Sequence, residues 1–357
     1  MATSDFTGRD LLTGLDFSSE ELEELVRLAL ALKAEPHDGP SRDALRGRVA
    51  ALYFFNPSVR TRLSCESALA RLGGTGVTMH AGKDTWAFEH QDGAVMDGAT
   101  QEHVRELAPV VSRLAHVAGI RRSELITSGA QGATVTASYA ELRRDEFLGA
   151  FQRFASVPVV NLESNAFHPL QGLADMATLT ERAGGPAAAR GQKYVLTWAW
   201  HPKSLPVATP HSQLLAAADL GMEVTLLRPE GWGLDPEVVA QVRARAEARG
   251  GSLAETDDQE AAYRGARFVC AKSWGSLDFY GRFDEEPAAK AELRTRWIVD
   301  EDKLARTDDA AFLHCLPVRR NVIVTDGVLD SCRSAVIDQA ENRLWTAAAV
   351  FRALLGA

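Results

Sequence analysis

Apolar positions along this chain recur with two periods, and the exchange between them predicts the architecture. A leucine stripe at helical spacing runs through SSEELEELVRLALALKAE (Ser18–Glu35), with serine caps and acids in its first turn, so an amphipathic helix is expected there. Runs of β-branched, aromatic and apolar residues predict strands at RVAALYFF, GVTMH, HVAGIR and VPVVNLE, and SCESALARLG and QEHVRELAPVVSRL between them read as helices. The alternation restarts with predicted strands at KYVLTWAW, EVTLLRP, RFVCAKSW, WIVDE and AFLHCLP, interleaved with the helical stretches HSQLLAAADLG and PEVVAQVRARAEARGG. Such alternation is the signature of parallel sheets flanked by helices. The expected fold is therefore α/β: two doubly wound parallel-sheet domains with an active-site cleft between them. The first spans residues 1–165 and is completed by the closing amphipathic helix (340–357); the second spans residues 166–339 and is entered through the helix GLADMATLTERAGG.

Composition narrows the function. A chain of 357 residues that is 46% hydrophobic can bury the cores of two domains. Forty-eight acidic against 39 basic residues leave a formal charge of −9, which excludes the excess of positive charge that a nucleic-acid footprint needs. No basic segment followed by an apolar stretch opens the chain and no apolar run approaches about 18 residues, so a cytoplasmic protein with no membrane partner is expected. Cys65, Cys270, Cys315 and Cys332 make no C-x-x-C pair and predict neither a zinc site nor a disulfide framework.

The candidate chemistry lies after the strands. In FFNPSVRTRLSCESA the polar residues Ser58 to Arg62 fall where a strand turns into a helix. Ser58 is a good N-cap, the backbone N–H groups of Val59, Arg60 and Thr61 point out of the first helical turn, and Arg60 adds a forked cation; together they suit an anion such as phosphate. Taken alone, the same stretch is also an ordinary capped helix start. Polar residues follow nearly every other predicted strand: Lys83–Trp86, Arg121, Glu163, His168–Gln171, His201–Lys203, Lys272–Trp274 and His314–Arg320. Ligands of open α/β sheets bind beyond the carboxyl ends of the strands, so these positions describe one site rich in cations and hydrogen-bond donors.

SVRTR at Ser58–Arg62, HPLQ at His168–Gln171 and HCLPVRRN at His314–Asn321 resemble, in order and spacing, the motifs of the aspartate/ornithine carbamoyltransferase family, and the resemblance covers essentially the whole chain. It implies transfer of a carbamoyl group from carbamoyl phosphate to an amine, with no metal and no organic cofactor. Ser58, Val59, Arg60, Thr61, Arg121 and Arg343 would hold the phosphate, and Arg121, His168 and the Thr61 hydroxyl would stabilise the oxyanion formed at the attacked carbonyl. Gln171, with the backbone carbonyls of Cys315 and Leu316, would hold the carbamoyl NH2. Cys315 would act through its backbone and not its thiol.

The resemblance also bears on the amine. Ordinary ornithine enzymes carry a Ser-Met-Gly loop that grips the free α-amino and carboxylate groups, whereas this chain has AKSWGSL with Lys272 and Trp274. A lysine repels an α-ammonium and welcomes a carboxylate, so the α-nitrogen is expected to be blocked. GKDTW at Gly82–Trp86, VMDG at Val95–Gly98 and LTWAWHPK at Leu196–Lys203 resemble the N-acylornithine branch of the family. That branch implies acceptor contacts from Trp86, Gln101, Glu163, Pro206, Lys272 and Arg319. It also implies arginine biosynthesis and a homotrimer, in which Trp86 reaches a neighbouring subunit's site. Acetyl-specific relatives carry a glutamate at the position of Gln101 and an asparagine at that of Pro206, while succinyl-specific ones carry proline at both. Neutral Gln101 and Pro206, with the RTRLS and HPLQ stretches, incline the reading to N-succinylornithine, with N-acetylornithine as the alternative and free ornithine a more distant one; KDTW and KSWG look more acetyl-like.

Two readings of other classes compete. Paired α/β domains suit a dinucleotide oxidoreductase, but GGTGVT at Gly73–Thr78 lacks the G-x-G-x-x-G spacing. A two-domain sensor without chemistry would not need every expected catalytic position filled. Lys303 in DEDKL reads as a solvated charge.

Overall fold

The computed structural model describes residues 4–125 and 136–357. The chain forms two compact units: residues 4–125, Ala140–Leu170 and Arg343–Ala357 make the first, and residues 136–139 with Gln171–Asn342 make the second.

The first unit is built on four parallel strands, β1 (Val49–Phe54), β2 (Thr75–His80), β3 (Val117–Arg121) and β4 (Val159–Glu163), in the order β2-β1-β3-β4. β3 and β4 are buried along their whole length, as expected of parallel strands covered on both faces. Gly119 in β3 is required by packing, since a Cβ there would meet Leu52 at 2.8 Å and Leu162 at 3.0 Å. Helix α1 (Ser19–Ala34) starts at the expected capping box, with Ser18 and Glu21 bonding each other's backbone N–H. Helices α2 (Val59–Arg71), α3 (Val104–Leu114) and α4 (Glu146–Phe154) follow the strands. An aromatic cluster of Tyr53, Phe55, Phe88, Phe147 and Phe151 fills one side of the sheet, and Arg122 stacks over Phe55 and Phe147. The end of the chain is tied to its beginning by the Gly8 N–H on the Leu354 carbonyl and by Arg352 Nη1 on Ser41 Oγ, at 3.0 and 2.7 Å.

Helix α5 (Pro169–Ala183) leads into the second unit, whose five parallel strands are β5 (Lys193–Trp198), β6 (Glu223–Leu227), β7 (Ser252–Thr256), β8 (Phe268–Lys272) and β9 (Ala311–Leu313). Their order is β9-β8-β5-β6-β7, with α6 (Ala208–Asp219) and α7 (Pro236–Ala248) among its helices, while α8 (Val336–Leu354) begins in this unit and belongs to the first from Arg343 onward. Two expectations fail here. WIVDE forms no strand: Val299 makes a single bridge with Val324, and Trp297 is apolar because it packs edge-on against Trp198 at 5.8 Å. The edge strand is SLAET instead, which the pattern hides because only Leu253 of its five residues is buried. Among the described residues, no helix is long and apolar enough to cross a membrane.

Both strand orders reverse once. The switch falls between β1 and β3 in the first unit and between β5 and β8 in the second, and the carboxyl ends flanking such a switch are where open sheets take ligands. Those ends carry Ser58–Arg62 and Arg121 in one unit, and Trp200–Lys203 and Lys272–Trp274 in the other.

Candidate active site

In the first unit, Ser58 caps α2: its Oγ accepts from the Thr61 N–H at 3.2 Å and donates to Thr61 Oγ1 at 2.9 Å. Thr61 Oγ1 also accepts from Arg343 Nη2 at 2.7 Å, joining positions 282 apart in sequence. Thr61 is fully buried and Arg343 nearly so. Burial draws the Arg343 pKa down to about 10, and the neighbouring guanidiniums of Arg121 and Arg60 act in the same direction while Cys65 and Glu163 oppose them. Three arginines within electrostatic reach of one another, against one buried carboxylate, form a site whose missing charge is negative. Val59 is exposed, as it must be if the first turn of α2 presents its N–H groups outward.

Arg121, the last residue of β3, is buried and ion-paired with Glu163, the last residue of β4, and His168 Nε2 stands 3.7 Å from the same Glu163 oxygen. The Nε of Arg121 finds no hydrogen-bond partner among the described residues. Glu163, expected as an acceptor contact, thus lies among the residues expected to hold carbamoyl phosphate. Cys65, on the buried face of α2, is fully buried, which pushes its thiol up to about 12 and leaves no thiolate at neutral pH. Among the described residues, no group of three or more His, Cys, Asp or Glu is placed to hold a metal ion.

The loop that presents His168 is held by a residue that sequence reading passed over. Asp145, in a left-handed conformation at φ 46°, accepts from the backbone N–H of Asn165 at 2.8 Å and of Ala166 at 3.4 Å. Burial raises its carboxyl to about 6 in spite of these bonds. A carboxyl raised on folding stabilises the fold fully below its unfolded value near 4, and that contribution is lost as pH rises through 6. Asp145→Asn is therefore expected to flatten the fall in stability between pH 4 and 7 by on the order of 2–3 kcal/mol. Urea unfolding of wild type and variant across this range checks it; parallel profiles would count against the assignment.

Trp86 and Gln101 come together on one loop. Gln101 Oε1 accepts from the Ala87 N–H at 3.2 Å and the Gln101 N–H donates to the Ala87 carbonyl at 3.0 Å, so Gln101 anchors the residue after Trp86. Trp86 itself is 64% exposed. The neighbouring Asp84 pairs with His80 and not with Lys83.

In the second unit, buried Gln171 donates from Nε2 to Asp175 Oδ1 at 2.6 Å, and Gln339 Nε2 donates to the same oxygen at 2.6 Å. Gln339 Oε1 accepts the His314 N–H at 2.9 Å, and His314 Nδ1 accepts the Leu316 N–H at 2.9 Å. Gln171 and the Cys315–Leu316 turn, the latter with Leu316 at φ 56°, therefore belong to one network. Lys272 is buried at the end of β8, its Nζ donating to the Ser273 carbonyl at 3.0 Å. Trp274 is not a ligand-facing residue: it is buried, its indole N–H donates to the Trp232 carbonyl, and its own carbonyl accepts from Trp198. Arg319 donates from Nε to His201 Nε2 at 2.9 Å, and burial, with Arg319 adding to it, lowers the His201 pKa to about 4, so this imidazole is neutral and can accept. Pro206 is buried beside a loop fixed by the Gly275 N–H on the Leu205 carbonyl and by Ser204 on the buried Glu286–Lys290 pair. Lys303 is not the solvated charge expected: its side chain is only 13% exposed, with Nζ on the carbonyls of Arg296 and Ile298, and it is a structural charge. Asp175, Gln339 and His201 were not assigned roles from sequence. His201 stood in the polar cluster His201–Lys203 after a predicted strand, and Asp175 had a local signal in lying four residues after Gln171 on one helical face, whereas Gln339 had none.

Comparison with known proteins gives the family and similar folds. The family model described as aspartate/ornithine carbamoyltransferase, carbamoyl-P binding domain, matches residues 9–181, and that described as the Asp/Orn binding domain matches residues 206–354. An N-acetylornithine carbamoyltransferase of Xanthomonas campestris pv. campestris is 40% identical over 98% of this chain and 98% of its own. An N-succinylornithine carbamoyltransferase of Bacteroides fragilis is 35% identical over 87% of this chain and 88% of its own. A crystal structure of acetylornithine transcarbamylase complexed with acetylcitrulline superposes with a TM-score of 0.91 at 40% identity, covering 98% of this chain and 100% of that one. A point variant of N-acetyl-L-ornithine transcarbamylase, complexed with carbamyl phosphate and N-succinyl-L-norvaline, superposes with a TM-score of 0.90 at 40% identity over 97% of this chain and 99% of that one.

Proposed function

We propose that this chain, which belongs to the aspartate/ornithine carbamoyltransferase family and to its N-acylornithine branch, carbamoylates the δ-amine of N2-acetylornithine. The observation that carries the phosphate half is the convergence of Arg60, Arg121 and Arg343 on the capped start of α2. In this reading the phosphate lies against the N–H groups of Val59, Arg60 and Thr61, and Arg121, His168 and Thr61 donate to the carbonyl oxygen as it becomes an oxyanion. Gln171 and the carbonyls of Cys315 and Leu316 accept from the carbamoyl NH2. The neutral δ-amine attacks the carbonyl carbon, a C–N bond forms, the C–O bond to phosphate breaks, and the departing phosphate takes the amine proton. Lys272 and Arg319 hold the acceptor's carboxylate.

Acetyl is favoured over succinyl by whole-chain similarity, 40% over 98% of the chain against 35% over 87%. Gln101 supports the succinyl reading less than its charge first suggests. A neutral amide whose oxygen is already bonded to Ala87 removes a repulsion, but it supplies no cation to bind a second carboxylate. Succinyl remains the second reading, carried by that missing repulsion. Exposed Trp86 supports assembly as a homotrimer in which a neighbouring copy covers it.

The test is formation of ureido product and phosphate from carbamoyl phosphate with ornithine, N-acetylornithine, N-succinylornithine or aspartate, on a preparation whose mass is measured by light scattering. N-Acetylornithine is expected to be turned over about tenfold better than the succinyl compound, with ornithine and aspartate negligible. Gln101→Glu should widen the acetyl preference by roughly another tenfold, the effect of about 1.4 kcal/mol of like-charge repulsion. Efficient turnover of free ornithine would sink the branch assignment, and a monomeric mass would sink the assembly.

A further inference from the structure

We propose that Asp175 is a positioning residue for the carbamoyl amide: its carboxylate fixes the direction of the Gln171 side-chain amide, so that Gln171 turns its carbonyl oxygen toward the carbamoyl NH2. This rests on the function proposed above and concerns a residue that touches no substrate.

The polarity of the network starts from one fixed donor. A backbone N–H can only donate, so the His314 N–H requires the oxygen of the Gln339 amide. The Gln339 NH2 must then face the other way, where Asp175 Oδ1 accepts it at 2.6 Å. The Gln171 NH2 donates to that same oxygen, at 2.6 Å. A flipped Gln171 would bring two oxygens to the same distance inside the protein, where their repulsion is poorly screened. The amide oxygen of Gln171 is thereby committed to the opposite side.

The same carboxylate reaches the other half of the clamp. Through Gln339 it holds His314, whose Nδ1 accepts from the Leu316 N–H, so the turn offering the Cys315 and Leu316 carbonyls is set by Asp175 as well. Gln171, Asp175, Gln339 and His314 are all at most 2% exposed. Burying a carboxylate there is unfavourable, and an apolar residue would pack the helix without that cost. What the carboxylate adds is a wholly accepting clamp, which recognises an NH2 and finds nothing in a methyl group. A site built to bond a substrate N–H discriminates strongly against the analogue that lacks it.

Acetyl phosphate replaces the carbamoyl NH2 by CH3 and keeps the phosphate, so it reads this clamp separately from the anion site. In the full-length enzyme, Asp175→Asn and Asp175→Ala are to be compared with wild type for the Kd of carbamoyl phosphate, acetyl phosphate and inorganic phosphate by calorimetry, together with kcat. Asp175→Ala removes the acceptor and lets the Gln171 amide adopt either direction, whereas Asp175→Asn keeps an oxygen where both amides donate and is expected to retain most of the wild-type preference. In Asp175→Ala the preference for carbamoyl over acetyl phosphate is expected to fall about tenfold, with a similar fall in kcat, while the inorganic phosphate Kd stays within about twofold. Gln339→Met, which removes the bonds to both Asp175 and His314 and leaves the Gln171–Asp175 bond in place, is expected to lower the same preference about threefold and serves if the Asp175 variants do not fold. An unchanged preference in Asp175→Ala or Gln339→Met, or equal weakening of all three ligands as a merely structural role would produce, overturns the proposal. Wild type that makes no ureido product would overturn the functional reading itself, a result distinct from either.

Discussion

Arg121→Ala is expected to lower kcat/KM by about 10³-fold or more, the largest loss from any single side chain of the site. Arg121 is proposed to act on both the phosphate and the carbonyl oxygen, and loss of one preorganised oxyanion donor alone lowers kcat by about 10²–10³. It ends β3 at the switch point of its sheet, buried, and its ion pair with Glu163 fixes the guanidinium before any substrate arrives. That pair also creates a confounding effect, because removing the arginine leaves the Glu163 carboxylate buried and unpaired, which destabilises the fold. The double variant Arg121→Ala/Glu163→Gln separates the two. It is expected to recover most of the lost Tm while activity stays as low as in the single variant. Activity returning with stability would mean that Arg121 serves the fold and not the chemistry.

Lys272→Met is expected to raise the KM for the acylated ornithine about 100-fold with a smaller change in kcat, and to leave carbamoyl phosphate binding unchanged. A hydrogen bond to a charged group contributes about 1.5–3 kcal/mol, the upper end of which corresponds to a factor of roughly 100. Methionine retains the length of the stem, so the packing at the end of β8 is disturbed little. The same cation should exclude free ornithine by repelling its α-ammonium, and Lys272→Met is therefore expected to narrow the gap between acylated and free ornithine. Initial-rate kinetics with both acceptors check this. If carbamoyl phosphate binding weakens as much as acceptor binding, Lys272 does not belong to the acceptor site.

β1, β3 and β4 of the first unit and most strands of the second were legible because parallel strands covered on both faces read as unbroken apolar runs, whereas the edge strand β2, with no buried residue, was read from its β-branched residues. That signal fails at an edge. SLAET is a strand through its ladder to β6, with only Leu253 buried, whereas WIVDE is apolar for the packing of Trp297 and forms no ladder. Trp274 shows a related limit. Its place in the loop after Lys272 was plain, but its indole is committed to Trp232, and a sequence does not show which way a side chain points.

The sequence by itself determined the kind of chemistry: a serine-capped, arginine-rich helix start after a strand, the HPLQ and HCLPVRRN stretches, and a lysine where a free α-ammonium would otherwise be bound. These signals are local, because capping and charge act within one or two helical turns. Only the tertiary structure decided which of these groups share an environment and which hydrogen-bonding direction each one takes. The gathering of three arginines depends on where β1, β3 and β4 end and on the mid-helix position of Arg343 in α8, which reaches Thr61. The orientation of Gln171 depends on Gln339, which reaches Asp175 across 164 residues of chain. A donor–acceptor direction is a property of a closed network in a dry interior, so it exists only once folding has removed the water that could otherwise satisfy either direction.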